Sequence, residues 1–158
     1  VPALVNAYHD TSGPLVPYPD ATATLHSLGE AYDIGVITGG TNGRGKLSRL
    51  GLDDSVDELI VTANREDSKR EPDPFVEMAD RFEVTHGSVV FVGDRPSLDF
   101  PQPNRLGMTT IRLRRGHYAT ATASGDAVPD IEVDSLAAAR DAVERLDAGA
   151  KQTDGCRL

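Results

Sequence analysis

Two short stretches hold the residue types that can do chemistry. The first, "VITGGTNGRGKLSRL", runs from Val36 to Leu50 and sets Thr38 at the end of an apolar run, directly before Gly39 and Gly40. The second, "VVFVGDRPSLD", ends another apolar run with Asp94 and places Asp99 five residues later. A hydroxyl and glycine N–H groups at a helix entrance suit a phosphate, and a carboxylate on the same rim suits Mg²⁺. Gly40 to Lys46 also reads G-T-N-G-R-G-K, the first seven positions of a P-loop. In a P-loop a serine or threonine hydroxyl follows the lysine and holds the metal. Leu47 stands there, and Ser48 comes one residue late, rotated by about 100° on a helix. "VVFVGD" could still serve a P-loop as a metal-binding strand, with Asp94 on the ion.

These residues need elements to carry them. "DATATLHSLG" predicts a helix with Asp20 as its cap, Ala21, Thr24, Leu25 and Leu28 on one face, and Gly29 near its end. Ile34 to Thr38 is a buried strand, Arg44 to Leu50 a helix and Glu58 to Thr62 a second strand. "DPFVEMADRF" predicts a helix with Asp73 at the N-cap and Pro74 at its first position, burying Phe75, Met78, Ala79 and Phe82. "SVVFVG" is apolar enough for a parallel strand covered on both faces. "MTTIRL" and "DIEV" add strands, and "SLAAARDAVERLD" adds a closing helix that faces Leu136, Ala139, Val143 and Leu146 inward. Gly116 to Asp130 reads as a surface loop. Strands alternating with helices imply an α/β fold with a parallel sheet.

The totals narrow the partners. At 158 residues one domain is expected. A net charge of −9 repels nucleic acid and anionic lipid, so neither is an expected partner. Lysine occurs only at Lys46, Lys69 and Lys151, which would suit a salt-loving organism as well as an ordinary acidic cytoplasmic protein. Cys156 is the single cysteine, so an internal disulfide is excluded. No apolar run approaches the ~20 residues of a membrane span, and no leader pattern opens the chain; a cytoplasmic location is expected. His9, His26, His86 and His117 lack metal-ligand spacing. "RLRRG" reads as a solvated strand end, with an acidic ligand as the alternative.

Taken in order, several segments resemble the haloacid dehalogenase-like hydrolases, most of which are Mg²⁺-dependent phosphatases. "PYPDATATLHSLGEAYDIGVITGG" is similar to the helix and strand leading to that family's second motif, and "EPDPF" to its third. "VVFVGDRPSLDF" is similar to the fourth, and "NRLGMTTIRLRRGHY" to the strand and loop beyond. The likeness spans roughly residues 17 to 147. It implies a three-layer Rossmann-like core, Mg²⁺ as cofactor and a small phosphorylated metabolite as substrate. Thr38, Gly39 and Gly40 would hold the phosphate, Asp94 the metal, and Asp99 would support Asp94. Lys69 is the candidate for the third motif's lysine.

The sequence also departs from the pattern. The family's nucleophile lies in an Asp-x-Asp motif on the first strand, and none occurs upstream of Thr38. Asp10 lacks an apolar strand leading into it. Glu71 stands at the usual lysine position, with Lys69 and Arg70 nearby, and Gly39 replaces an asparagine. The expectation is a core lacking its first strand and most of its cap, with an unpaired gap at the centre of the sheet. Residues 1–18 would be the end of a cap or a linker, 19–147 the partial core and 148–158 a disordered tail. Val1 in place of methionine fits a phosphatase cut at its front and inactive alone, waiting on an N-terminal segment or second chain. A non-catalytic phosphate- or partner-binding domain is the alternative, and a P-loop NTP-binding protein a lesser one.

Overall fold

The computed structural model describes residues 3–5 and 15–154, with side chains for 15–151. Strand β1 (Ala3–Val5) and helix α1 (Ala21–Gly29) are followed by β2 (Ile34–Thr38), α2 (Gly43–Leu50), β3 (Glu58–Val61) and α3 (Asp73–Arg81). Then come β4 (Val90–Gly93), two short helices α4 (Pro96–Asp99) and α5 (Pro101–Arg105), β5 (Thr109–Leu113), β6 (Ile131–Val133) and α6 (Leu136–Asp154). All six strands are parallel in the order β3-β2-β1-β4-β5-β6.

Side-chain alternation along the strands builds the three layers. On β4, Val90 and Val92 join Leu25, Leu28, Leu47, Ala139 and Val143 on one face, under α1, α2 and α6. Phe91 points the other way and joins Ile37, Phe75, Met78 and Phe100 under α3, α4 and α5. Every residue of β2 and β4 is buried, as strands covered on both faces must be. Phe75 meets Phe91 edge to face, centroids 5.2 Å apart, worth about 0.5–1.5 kcal/mol beyond area burial.

Several expectations need correction. The gap between β2 and β4 is filled: Ala3 pairs with Ile34 and Val90, and Leu4 with Gly35 and Phe91. Two parallel strands with open backbone edges gain ladder hydrogen bonds from any extended apolar segment between them. "ALV" does this with three residues, too few to show a strand period. Residues 3–5 thus pair as the central strand of the sheet. At the other end the helix does not stop at 147 with a tail from 148: α6 runs on to Asp154. "DAGAK" is helix-permissive, and Lys151 bridges to Asp147 at 2.8 Å one turn back. His9, Asp10 and Cys156 lie outside the described residues.

Caps differ as well. Asp20 makes no cap bond to α1. Its carboxylate accepts from the N–H of Leu136 at 2.9 Å and of Ala137 at 3.4 Å, and from Arg115 at 3.0 Å, so it caps α6 instead. Asp73 is the first residue of α3 and Pro72 its cap, one residue earlier than the pattern suggests. In "RLRRG" Arg114 is exposed, whereas Arg115 pairs with Asp20 at 3.0 Å. Arg112 is buried, pairs with Glu132 at 3.0 Å and donates to the carbonyls of Tyr118 and Ala121, tying down the loop after β5.

Candidate active site

The strand order reverses direction at β1 and β4, and in open parallel sheets ligands bind at such a switch point beyond the carboxyl ends. Thr38 ends β2 and Asp94 directly follows β4, on either side of β1. Two strand spacings put their backbones about 10 Å apart on the same rim.

On the β2 side the chain turns tightly. Thr38 is 5% exposed, and its Oγ1 accepts the Gly40 N–H at 3.2 Å. The Gly40 amide is thus turned onto the hydroxyl rather than left open, while Gly39 remains exposed. Thr62, at the end of β3, donates its N–H to the Thr38 carbonyl at 2.9 Å and its hydroxyl to the same oxygen at 3.4 Å. Asn42 takes a left-handed conformation (φ 57°), and α2 begins at Gly43. A Cβ on Gly43 would fall 2.8 Å from Thr38 Cγ2 and 2.9 Å from Val61 Cγ2, so only glycine lets the helix rest on these strand ends. Residues 43–46 are helical, which leaves just four loop residues after Thr38. A P-loop needs its loop to extend to the lysine so that backbone amides can wrap the phosphates. The nucleotide-binding reading fails on that geometry.

On the β4 side a buried ion pair fixes the loop. Lys69 and Asp99 have side chains 3% and 1% exposed and meet at 2.8 Å. The other Asp99 oxygen accepts the N–H groups of Asp94 at 3.1 Å and Arg95 at 2.9 Å. Gly93 makes this possible, because a Cβ there would lie 2.7 Å from Asp99 Cβ and 2.8 Å from its carboxylate. Arg70 and Glu71 are exposed, while Lys69 is turned inward. A turn at Ser68, whose carbonyl accepts the Glu71 N–H at 2.9 Å and whose hydroxyl accepts that of Arg70 at 3.2 Å, makes the difference. The acidic side chain at the motif position therefore faces solvent.

The donor set can be tested against Mg²⁺. Asp94 is a half-buried carboxylate directly after β4, and the Asp99 oxygens accept from Lys69 and two backbone amides. No group of three His, Cys, Asp or Glu forms a cluster among the described residues. Mg²⁺ keeps several waters and is commonly held by one or two carboxylates plus substrate phosphate oxygens. Asp94 fits that mode as a single protein ligand, with Asp99 behind it rather than on the metal.

Two further side chains flank this rim, Arg95, which the sequence did not single out, and Lys46, which it offered only as a P-loop lysine. The Arg95 guanidinium lies 5.1 Å from the centroid of the Tyr118 ring, linking the Asp94 loop to the loop after β5. The Lys46 side chain folds back over Gly40; its only signal was the coincidental P-loop spacing.

Comparison with known proteins adds to this geometry. Residues 2–113 match the family described as haloacid dehalogenase-like hydrolase. The chain is 38% identical over 151 residues to "Glyceraldehyde 3-phosphate phosphatase" of Methanopyrus kandleri, covering 92% of this chain and 65% of that protein. It is similar to a crystal structure of a HAD phosphatase from Thermococcus onnurineus, with TM-score 0.69 and 31% identity over 80% of this chain and 57% of that one. A 2-haloacid dehalogenase from Pseudomonas syringae pv. Tomato DC3000 gives TM-score 0.71 at 29% identity, over 82% and 54%. The chain thus spans less than two thirds of the length of each. Among the described residues no helix is long and apolar enough to cross a membrane.

Proposed function

The chain belongs to the haloacid dehalogenase-like hydrolases, and from that premise we propose a Mg²⁺-dependent phosphomonoester hydrolase acting on a small phosphorylated metabolite. Glyceraldehyde 3-phosphate, named for the Methanopyrus relative, is the first substrate to try. The observation that carries the reading is the pairing of a buried Lys69–Asp99 lock behind Asp94 with the Thr38 turn across β1.

Thr38 donates its hydroxyl to a phosphoryl oxygen, and the Gly39–Gly40 backbone lets that oxygen approach closely. Asp99 holds the Asp94 and Arg95 amides so that the Asp94 carboxylate keeps its place on the rim. Lys69 neutralises Asp99 in a dry setting, where an unpaired carboxylate would be costly. Asp94 would hold Mg²⁺, which when bound clamps phosphoryl oxygens and stabilises the charge that develops as the ester bond breaks. The attacking carboxylate is not among these residues, since no Asp-x-Asp precedes Thr38 in the sequence. The 158-residue chain alone is therefore proposed to bind phosphate without turning over an ester. That same observation favours the second reading, a phosphate-binding domain without catalysis.

The test compares the protein as its gene encodes it with the 158-residue chain, measuring phosphate release from glyceraldehyde 3-phosphate and other small phosphomonoesters. Release by the gene product that needs Mg²⁺ and falls at least about 100-fold in Asp94→Ala supports the proposal. Phosphate binding with no release from any ester favours the binding domain. Turnover by the 158-residue chain itself would overturn the proposal that it binds phosphate without hydrolysing an ester.

A further inference from the structure

Lys46 has no carboxylate within ion-pair distance among the described residues, although the chain carries 25 acidic residues. The other two lysines are both paired, Lys69 with Asp99 and Lys151 with Asp147. Lys46 lies on the first turn of α2, and its half-buried side chain leans back toward the helix start, as helical side chains do. A Cβ built on Gly40 would sit 2.7 Å from Lys46 Nζ and 3.6 Å from Thr38 Oγ1, so the ammonium and the hydroxyl share one small space above Gly40. Thr38 is 5% exposed, and its hydroxyl accepts from Gly40 but donates to nothing among the described residues. Two donors converge here without an acceptor among the described residues, an ammonium and a buried O–H, beside a Gly40 amide already turned onto the Thr38 oxygen. The chemistry that satisfies both is an oxyanion.

We propose that Lys46 is a positioning cation of the phosphate turn, binding the phosphoryl group of the substrate together with Thr38. The inference rests on the phosphatase reading of this rim and adds a residue to it. Lys46 contributes a point charge with three donors, which suits a tetrahedral anion approached from one side. A side chain at Gly40 would displace the ammonium, the flexible end of Lys46, from this place.

The test is equilibrium binding of inorganic phosphate to the 158-residue chain, followed through the Gly40 and Thr38 amide signals by NMR. Lys46→Gln should weaken binding about 10- to 100-fold, the scale of one charge-assisted hydrogen bond. Lys46→Arg should restore most of it, and Arg49→Gln, an equal charge loss on the exposed side of α2, should leave it unchanged. A role confined to packing predicts the same loss in Lys46→Gln and Lys46→Arg, which would overturn the inference. Wild-type affinity in Lys46→Gln would overturn it too, while leaving Thr38, Asp94 and the phosphatase reading intact. Absence of phosphate binding by the wild-type chain at millimolar concentration, with and without Mg²⁺, would overturn both.

Discussion

At the scale of single residues, the Lys69–Asp99 pair decides whether the rim on the β4 side exists. Both side chains are almost fully enclosed, so each ion has exchanged water for its partner, and Asp99 also accepts the amides of Asp94 and Arg95. Removing one member leaves the other as an uncompensated buried charge, at a cost of about 3–5 kcal/mol. Lys69→Met and Asp99→Asn should each lose stability on this scale in urea unfolding. The double variant should lose clearly less than the sum, because it leaves no unpaired charge buried. Strict additivity would show that the pair is not coupled. The sequence made Thr38 and Asp94 legible as candidates because each directly ends or follows an apolar run, and Asp99 through its five-residue spacing from Asp94. It left Lys69 ambiguous among three neighbours. Spacing to Pro-Asp-Pro singles out Glu71, and only the turn at Ser68 decides which side chain enters the core.

At the scale of elements, local signals worked where the partners are local and failed where they are distant. The face of α1 formed by Ala21, Thr24, Leu25 and Leu28 is buried as its spacing requires, and so are Phe75, Met78 and Ala79 of α3. Asp20 looks like the cap of the helix that follows it, yet it caps α6, more than a hundred residues away. No sequence pattern carries that contact. Burial alone would raise the Asp20 carboxyl, but hydrogen bonds from Arg115 and the Ala137 amide outweigh it and hold the group below its ordinary value of 3.8. A depressed carboxyl stabilises the fold fully above the unfolded value, and the stabilisation is lost as pH falls through the folded one. Asp20→Asn should therefore cost about 1 kcal/mol near neutral pH. The gap between variant and wild type should close as the pH drops below about 4. Unfolding midpoints measured from acid to neutral pH check this, and a gap independent of pH would remove the carboxylate from the explanation.

At the scale of the whole molecule, the fold turns on three residues at its centre. The parallel α/β sheet was readable because apolar runs alternate with helices. The strand between β2 and β4 was not, because "ALV" has no period to detect and its evidence is the backbone edge that each neighbour would otherwise expose. β1 joins the two halves of the sheet: β2 and β3 lie on one side, and β4, β5 and β6 on the other. It also separates the Thr38 turn from the Asp94 loop, so its presence sets the width of the candidate site. Leu4→Pro tests this directly. Proline removes the Leu4 N–H from a strand paired on both sides, and such strands tolerate it only at edges. The stranded carbonyl should cost about 1–3 kcal/mol, and amide exchange should quicken in β2 and β4 while β6 is unaffected. Leu4→Val, which keeps the N–H and suits a strand, should cost little. If Leu4→Pro left both the unfolding midpoint and the exchange of β2 and β4 unchanged, Ala3–Val5 would not be holding the two halves together, and the spacing of Thr38 from Asp94 would have to come from elsewhere.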